Sequence, residues 1–162
     1  MNTKGAPIFW LAMVLILGGV WFYQSYTPAN NIQWSRDFDA ARQTAAQMNR
    51  PMLLYFTADW CGPCKQMKRS VWPDQRVEAF VNNQTVPVYL DVDEPAVEPI
   101  AARYTVRSIP TVLLTDSDGN ILPLPSGNAA SVSGVVDAAG VIELIEKAKT
   151  SSADALPADL DE

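Results

Sequence analysis

The stretch "ADWCGPCK", Ala58–Lys65, holds both cysteines of a 162-residue chain, two residues apart and framed by a tryptophan, a glycine and a proline. The apolar run "MLLYFT", Met52–Thr57, comes just before it. That run is short, continuous and bounded by Pro51, which predicts a buried strand. Pro63–Val71 follows and predicts a helix, with Met67 and Val71 inward and Lys65, Lys68 and Arg69 exposed. Pro63 suits the first turn, where its missing N–H has no helical partner. A cysteine between a strand and a helix has a chemical consequence. Free backbone N–H groups and the positive helix end stabilise a thiolate on Cys61. They bring its pKa from about 8.5 toward neutrality, and Lys65 adds further anion stabilisation. Cys64, one turn in, is shielded and placed to attack a mixed disulfide formed on Cys61.

Two other uses of the cysteines remain open. A zinc site needs four ligands, and with two thiolates and no histidine it would need a second copy of the chain. A purely structural disulfide over so small a loop removes little unfolded-state entropy. The absence of histidine also excludes Ser-His and Cys-His nucleophile pairs and imidazole metal ligands.

The length fits one domain of about 100–150 residues plus appendages. Composition is 48% hydrophobic and 19% charged, enough apolar material for a core. The net charge of −6 argues against a nucleic-acid partner, which would need clustered Lys and Arg. No internal repeat or Gly-rich phosphate loop is present.

No charged side chain occurs between Lys4 and Arg36, and Ile8–Tyr23 reads "IFWLAMVLILGGVWFY". With its neutral flanks this segment reaches about 20 residues, enough to span a hydrocarbon core of about 30 Å as a helix. Trp10 at one end and Trp21, Phe22 and Tyr23 at the other suit the two interfaces. A flank at 1–6 and an uncleaved transmembrane anchor at 7–26 are therefore expected. The alternative is a signal peptide, which fits less well because the apolar run is long and Thr27-Pro28-Ala29 is a poor cleavage site. Lys4 before the helix places the bulk of the chain on the extracytoplasmic side, where disulfides persist or must be reduced.

Beyond the anchor, 27–34 reads as a linker and 35–149 as the folded domain. Residues 150–162 read as a disordered acidic tail. Ser35 is expected to cap a helix to about Asn49, with Phe38, Ala41, Ala45 and Met48 on one face. Asp74 caps a further turn through Val77 and Phe80. Val86–Val92 is a second core strand and Glu98–Tyr104 a short helix. Thr111–Thr115 and Asn120–Leu122 flank "DSDG" as a hairpin, and Val141–Ala148 is a closing amphipathic helix. The pattern is an α/β sandwich around a mixed sheet.

"WCGPC" at Trp60–Cys64 and "SIPT" at Ser108–Thr111 resemble the two signatures of the thioredoxin superfamily. The resemblance covers about Met52–Ala148. "RPMLLYFTADWCGPCKQM", "RVEAFVNN" and "VYLDVDE" look most like the membrane-associated thioredoxin-like domains of thiol:disulfide interchange proteins. The resemblance implies a three-layer thioredoxin-like sandwich and a redox-active Cys61–Cys64 disulfide with no other cofactor and no metal. It implies supporting roles for Trp60, Gly62, Pro63 and Lys65, and a cis bond at Ile109–Pro110. The backbone of Ile109 would pair with a substrate strand, and Gly134 would border the groove. Implied partners are extracytoplasmic disulfide-containing proteins and a transmembrane thiol electron donor. The Gly-Pro between the thiols implies a reductase; an oxidase or isomerase, or a binding module using the Trp60/Ile109/Gly134 groove, are the alternatives.

Three features depart from the family pattern. A buried aspartate common six residues before the first cysteine is Tyr55 here, and its lysine companion aligns with Tyr89. Losing both together avoids an unpaired buried charge, and the two tyrosines are read as packing residues. Asp59 is a substitute proton acceptor by position, though it is expected to face solvent. Pro123–Ser131, "PLPSGNAAS", is an insertion before Gly134 and is read as a surface loop, the alternative being an element that shapes partner choice at the groove.

Overall fold

The structure, a computed structural model, describes residues 6–154, with side chains described for 9–22 and 26–151. In chain order the elements are α1 (Ala6–Ser25), α2 (Phe38–Met48), β1 (Met52–Thr57), α3 (Gly62–Ser70), α4 (Gln75–Gln84) and β2 (Val86–Asp91). They continue with α5 (Glu98–Arg103), β3 (Thr111–Thr115), β4 (Ser131–Ser133) and α6 (Ala138–Asp154).

The four strands lie in the order β2-β1-β3-β4. β1 pairs parallel with β2, from Met52↔Val86 to Thr57↔Asp91. It pairs antiparallel with β3, from Met52↔Thr115 to Phe56↔Thr111, and β3 pairs antiparallel with β4. The sheet is mixed, as the sequence predicts. β1 is buried along its whole length, so its residues need no polar alternation. Leu53 and Tyr55 face one core with Met67, Trp72, Val77, Val81 and Ile145. Met52, Leu54 and Phe56 face the other, against Ala41, Ala45 and Val97. Helices on both faces make the three-layer arrangement, and each large apolar side chain buried this way contributes about 1.5–3 kcal/mol.

Several local expectations are corrected. Asp37, not Ser35, caps α2, its carboxylate accepting from the Ala40 N–H at 2.9 Å. Ser35 is taken up by the sheet instead: its N–H donates to Pro87 O at 2.9 Å and its carbonyl accepts from Tyr89 N at 2.8 Å. Asn49 ends α2 in the left-handed region, at φ 49°, a conformation asparagine tolerates. Asp74 does act as a cap, but for the full helix α4. Lys68 is not exposed; its side chain keeps 15% of its surface and lies along Tyr89.

Asn120–Leu122 is not a strand. Ile121 makes a single bridge to Thr115, and the chain then doubles back so that Leu114 N donates to Ala130 O at 2.9 Å. Pro123 and Pro125 lack the N–H groups that a continuous ladder would need, so β3 takes β4 as its neighbour. The segment expected as a disordered tail begins inside α6, which runs to Asp154; 155–162 lie outside the described residues. The segment expected as a linker packs on the domain, with Ile32 buried and Trp34 against the core.

The apolar N-terminal segment forms α1, and its large apolar side chains from Phe9 to Phe22 are exposed. Among the described residues no helix is long and apolar enough to cross a membrane. The side chains of α1 are described only for 9–22, short of the about 20 residues a span needs.

Candidate active site

β1 runs into Ala58, the chain turns through Asp59 and Trp60, and α3 begins at Gly62 with Cys61 as its N-cap. Pro63 stands in the first turn, where the missing donor costs nothing. Cys61 and Cys64 are joined as a disulfide, their Cα atoms 5.2 Å apart. The Cys61 sulfur also accepts the N–H of Cys64 at 3.1 Å. One of the free donors of the helix start is thus aimed at the sulfur where a thiolate would form. Cys61 retains 4% of its surface and Cys64 none, so only the first sulfur can meet a partner.

The groove wall comes from the turn that leads into β3, the strand next to β1. The Ile109–Pro110 peptide bond is cis, and the Ile109 carbonyl oxygen lies 3.7 Å from Cys61 Sγ. Gly134 donates its N–H to Pro110 O at 2.8 Å. Its φ of +93° is what calls for glycine there, since an added Cβ would meet nothing within 4 Å. Cys61, Cys64, Ile109, Pro110 and Gly134 thus come together, while Gly62 and Lys65 lie exposed on the first turn of α3.

Trp60 is 66% exposed, yet its indole N–H donates to both carboxylate oxygens of Asp93, at 2.9 and 3.1 Å. Asp93 escaped the sequence reading. The signal lay in "VYLDVDE": β2 runs parallel to β1 with Thr57 opposite Asp91, so residues just past β2 must emerge beside those just past β1.

Behind the disulfide the two departures from the family pattern meet. Tyr55 and Tyr89 are register partners, their rings 5.9 Å apart. Tyr55 is fully buried, and its hydroxyl donates to the Cys64 carbonyl oxygen at 3.4 Å. Burial pushes the Tyr55 phenol above its ordinary pKa; Thr57, Trp72 and Lys68 pull the other way but do not prevail. Thr57 Oγ1 and Trp72 Nε1, both buried, close no hydrogen bond of their own. Tyr89 lies between two cations, Arg36 at 4.6 Å and Lys68 at 5.3 Å from the ring centre. Asp59 faces solvent as expected but is also paired with Lys68 at 3.0 Å, which holds its carboxyl below the usual range. Burial opposes the charge on Lys68, yet Tyr89 and Asp59 together raise its pKa. Among the described residues no group of three or more His, Cys, Asp or Glu side chains is placed to hold a metal ion.

A family model described as thioredoxin-like matches residues 33–117. The chain belongs to the thioredoxin-like family. Within it, the chain is 32% identical over 126 residues to thiol:disulfide interchange protein DsbD 1 of Pseudomonas aeruginosa, covering 74% of this chain and 20% of that protein. It is 30% identical over 104 residues to DsbD of Yersinia pestis, covering 63% and 16%. The chain spans about a fifth of the length of these relatives. Among solved structures, the reduced C-terminal domain of Neisseria meningitidis DsbD matches with a TM-score of 0.53 at 28% identity, covering 66% of this chain and 90% of that one. DsbH oxidoreductase shares the fold, with a TM-score of 0.61 at 23% identity, covering 76% and 88%. The chain therefore carries a thiol:disulfide oxidoreductase-type domain with a CxxC pair.

In this thioredoxin-like domain the Pro123–Ser131 insertion lies away from the cysteines. Its last residues join the sheet at Leu113 and Leu114, where Ser131 pairs with Leu113 and Ala130 O accepts from Leu114 N, whereas Pro110 and Thr111 at the start of β3 adjoin the disulfide. At about 3.4 Å per strand residue these attachment points lie about 7–10 Å along β3 from Thr111. Its position supports a surface element over one that lines the groove.

Proposed function

We propose that the chain is a membrane-tethered thiol–disulfide oxidoreductase that reduces disulfides of extracytoplasmic partner proteins. The observation that carries this reading is the Cys61 sulfur, capping α3 and bonded to Cys64, beside the Ile109 carbonyl. In the reduced protein the Cys61 thiolate attacks one sulfur of a partner disulfide. That S–S bond breaks, and the departing partner sulfur takes a proton. The Cys64 thiol then gives up its proton and attacks Cys61 Sγ, releasing the second partner sulfur as a thiol. Two electrons pass to the partner, and Cys61–Cys64 is left as a disulfide. No group beyond the two sulfurs is needed, so no cofactor is invoked. A thiol donor, by likeness to the interchange proteins a transmembrane carrier, returns the chain to its dithiol form.

Ile109 offers its backbone to an extended partner segment, with Pro110, Gly134 and Trp60 as the walls. The direction follows the Gly-Pro spacer and the interchange-protein likeness. The tether follows α1: a 20-residue helix with no charged side chain, whose described large apolar side chains are exposed. Aromatic rings at both ends of it suit bilayer interfaces. The likeness to DsbD supports an extracytoplasmic, periplasmic setting.

The test replaces Cys64 with serine. Cys64→Ser protein expressed in cells should accumulate partners disulfide-linked to Cys61, released by dithiothreitol. A chain that binds partners without exchanging would accumulate none, and that result would refute the reading. Alkaline extraction of membranes tests the tether, which predicts that the chain stays in the pellet; release into the supernatant would refute it.

A further inference from the structure

Between α1 and α2 the chain is not a loose leash. The Tyr26 carbonyl accepts from Arg69 Nε at 3.0 Å. Asn31 donates its backbone and side-chain N–H groups to the two oxygens of Glu78, at 2.8 and 3.0 Å. The Asn82 amide accepts from Gln33 N at 2.9 Å and donates to Asn31 O at 3.0 Å. Trp34 then wedges into the core, 5.2 Å from Trp72 and 5.8 Å from Tyr55, and Ser35 bridges to Val88 on the edge of the sheet. A solvated linker would leave these backbone groups to water and take a random-coil reach. Here they are satisfied by helices α3 and α4 and strand β2.

The strap also sets a direction. Arg69 is the penultimate residue of α3, and Cys61 caps the opposite end of the same helix. At 1.5 Å per residue the two ends are about 12 Å apart. The end of α1 is thus fastened to the end of α3 that lies away from the cysteines.

We propose that Tyr26–Arg36 is a rigid spacer that holds the Cys61 face clear of the bilayer. The face is then turned to partners whose disulfide or dithiol lies in the aqueous phase, on a soluble protein, an extramembrane domain or the water-exposed side of a transmembrane carrier, and away from thiols buried in the bilayer. The inference rests on the membrane tether proposed above and adds what the tether does to partner choice.

The test uses the full chain as Cys64→Ser in a phosphatidylethanolamine–phosphatidylglycerol nanodisc, with a bimane label on Cys61. Iodide in the water should quench the label, and nitroxides on the lipid headgroups should quench it only weakly. Inserting a Gly-Ser segment after Pro28 together with Arg69→Ala frees α1 from α3, and headgroup quenching should then rise at least about twofold as the domain samples the surface. Strong headgroup quenching in the native strap, equal to that of the loosened chain, would overturn the spacer while leaving the tether intact. A chain that does not co-migrate with the disc would overturn the tether and the spacer with it. For the partner, the reduced wild-type chain in the same disc should be oxidised by insulin faster than by a transmembrane peptide pair disulfide-linked at the bilayer midplane. The reverse order would contradict the aqueous assignment.

Discussion

Tyr55 stands where the thioredoxin resemblance leads one to expect an aspartate, and its surroundings say what a tyrosine does there. Its ring packs against Trp34, Trp72 and Tyr89, and its hydroxyl makes one long contact to the carbonyl of Cys64. Tyr55→Phe should therefore change stability by about 1 kcal/mol or less, whereas Tyr55→Ala should cost about 3–5 kcal/mol by opening a cavity; urea unfolding of the two variants checks both. The phenol also has a pH signature. Its pKa is raised in the folded state, so the unfolded chain ionises first as pH rises. Stability should be fully present below about pH 10 and decline above it, and the decline should be shallower in Tyr55→Phe. Asp93 makes the opposite case, a residue whose role shows only once β1 and β2 are paired, because its partner, Trp60, is 33 positions away. Asp93→Ala should leave stability nearly unchanged, since the pair is exposed. It should slow reduction of insulin while sparing reaction with a small disulfide, which does not need the Trp60 wall.

Elements with a strong local signal were readable from sequence, and those defined by partners were not. β1 announced itself by an unbroken apolar run, α3 by Pro63 and the spacing of Met67 and Val71, and the cysteine pair by its place between them. The strap Tyr26–Arg36 gave no such signal. Its contacts to Glu78 and Asn82 lie about 50 positions away, and isolated asparagines carry no period. The expected hairpin is a short one: "DSDG" turns the chain and Ile121 bridges to Thr115, with Leu122 N donating to Leu114 O, but Pro123 and Pro125 deny the returning segment a longer ladder, and β4 lies beyond them. Capping gives the quantitative check at this scale. Asp37→Ala should destabilise by about 1 kcal/mol and Ser35→Ala by less, because only the first removes a bond to a helix N–H. Leu54→Ala, at the centre of the sheet, should cost about 2–5 kcal/mol.

At the scale of the molecule, the parts sort along β3. The disulfide, Pro110 and Gly134 gather at one end, and the Pro123–Ser131 insertion meets the strand from its middle, at Leu113 and Leu114. Trimming that insertion should leave the exchange rate with insulin unaltered. The direction of exchange belongs to the whole site and is read as a potential. Equilibrated with glutathione, the domain should poise near the about −270 mV of a reductant and far from the about −120 mV of a strong oxidant; a value at the oxidising end would reverse the assignment. The claim beneath all of this is that the start of α3 ionises one sulfur. The most direct measurement is the rate at which iodoacetamide alkylates Cys61 in reduced protein as a function of pH. The account predicts a midpoint clearly below the about 8.5 of a free cysteine, and a midpoint at or above that value would contradict it.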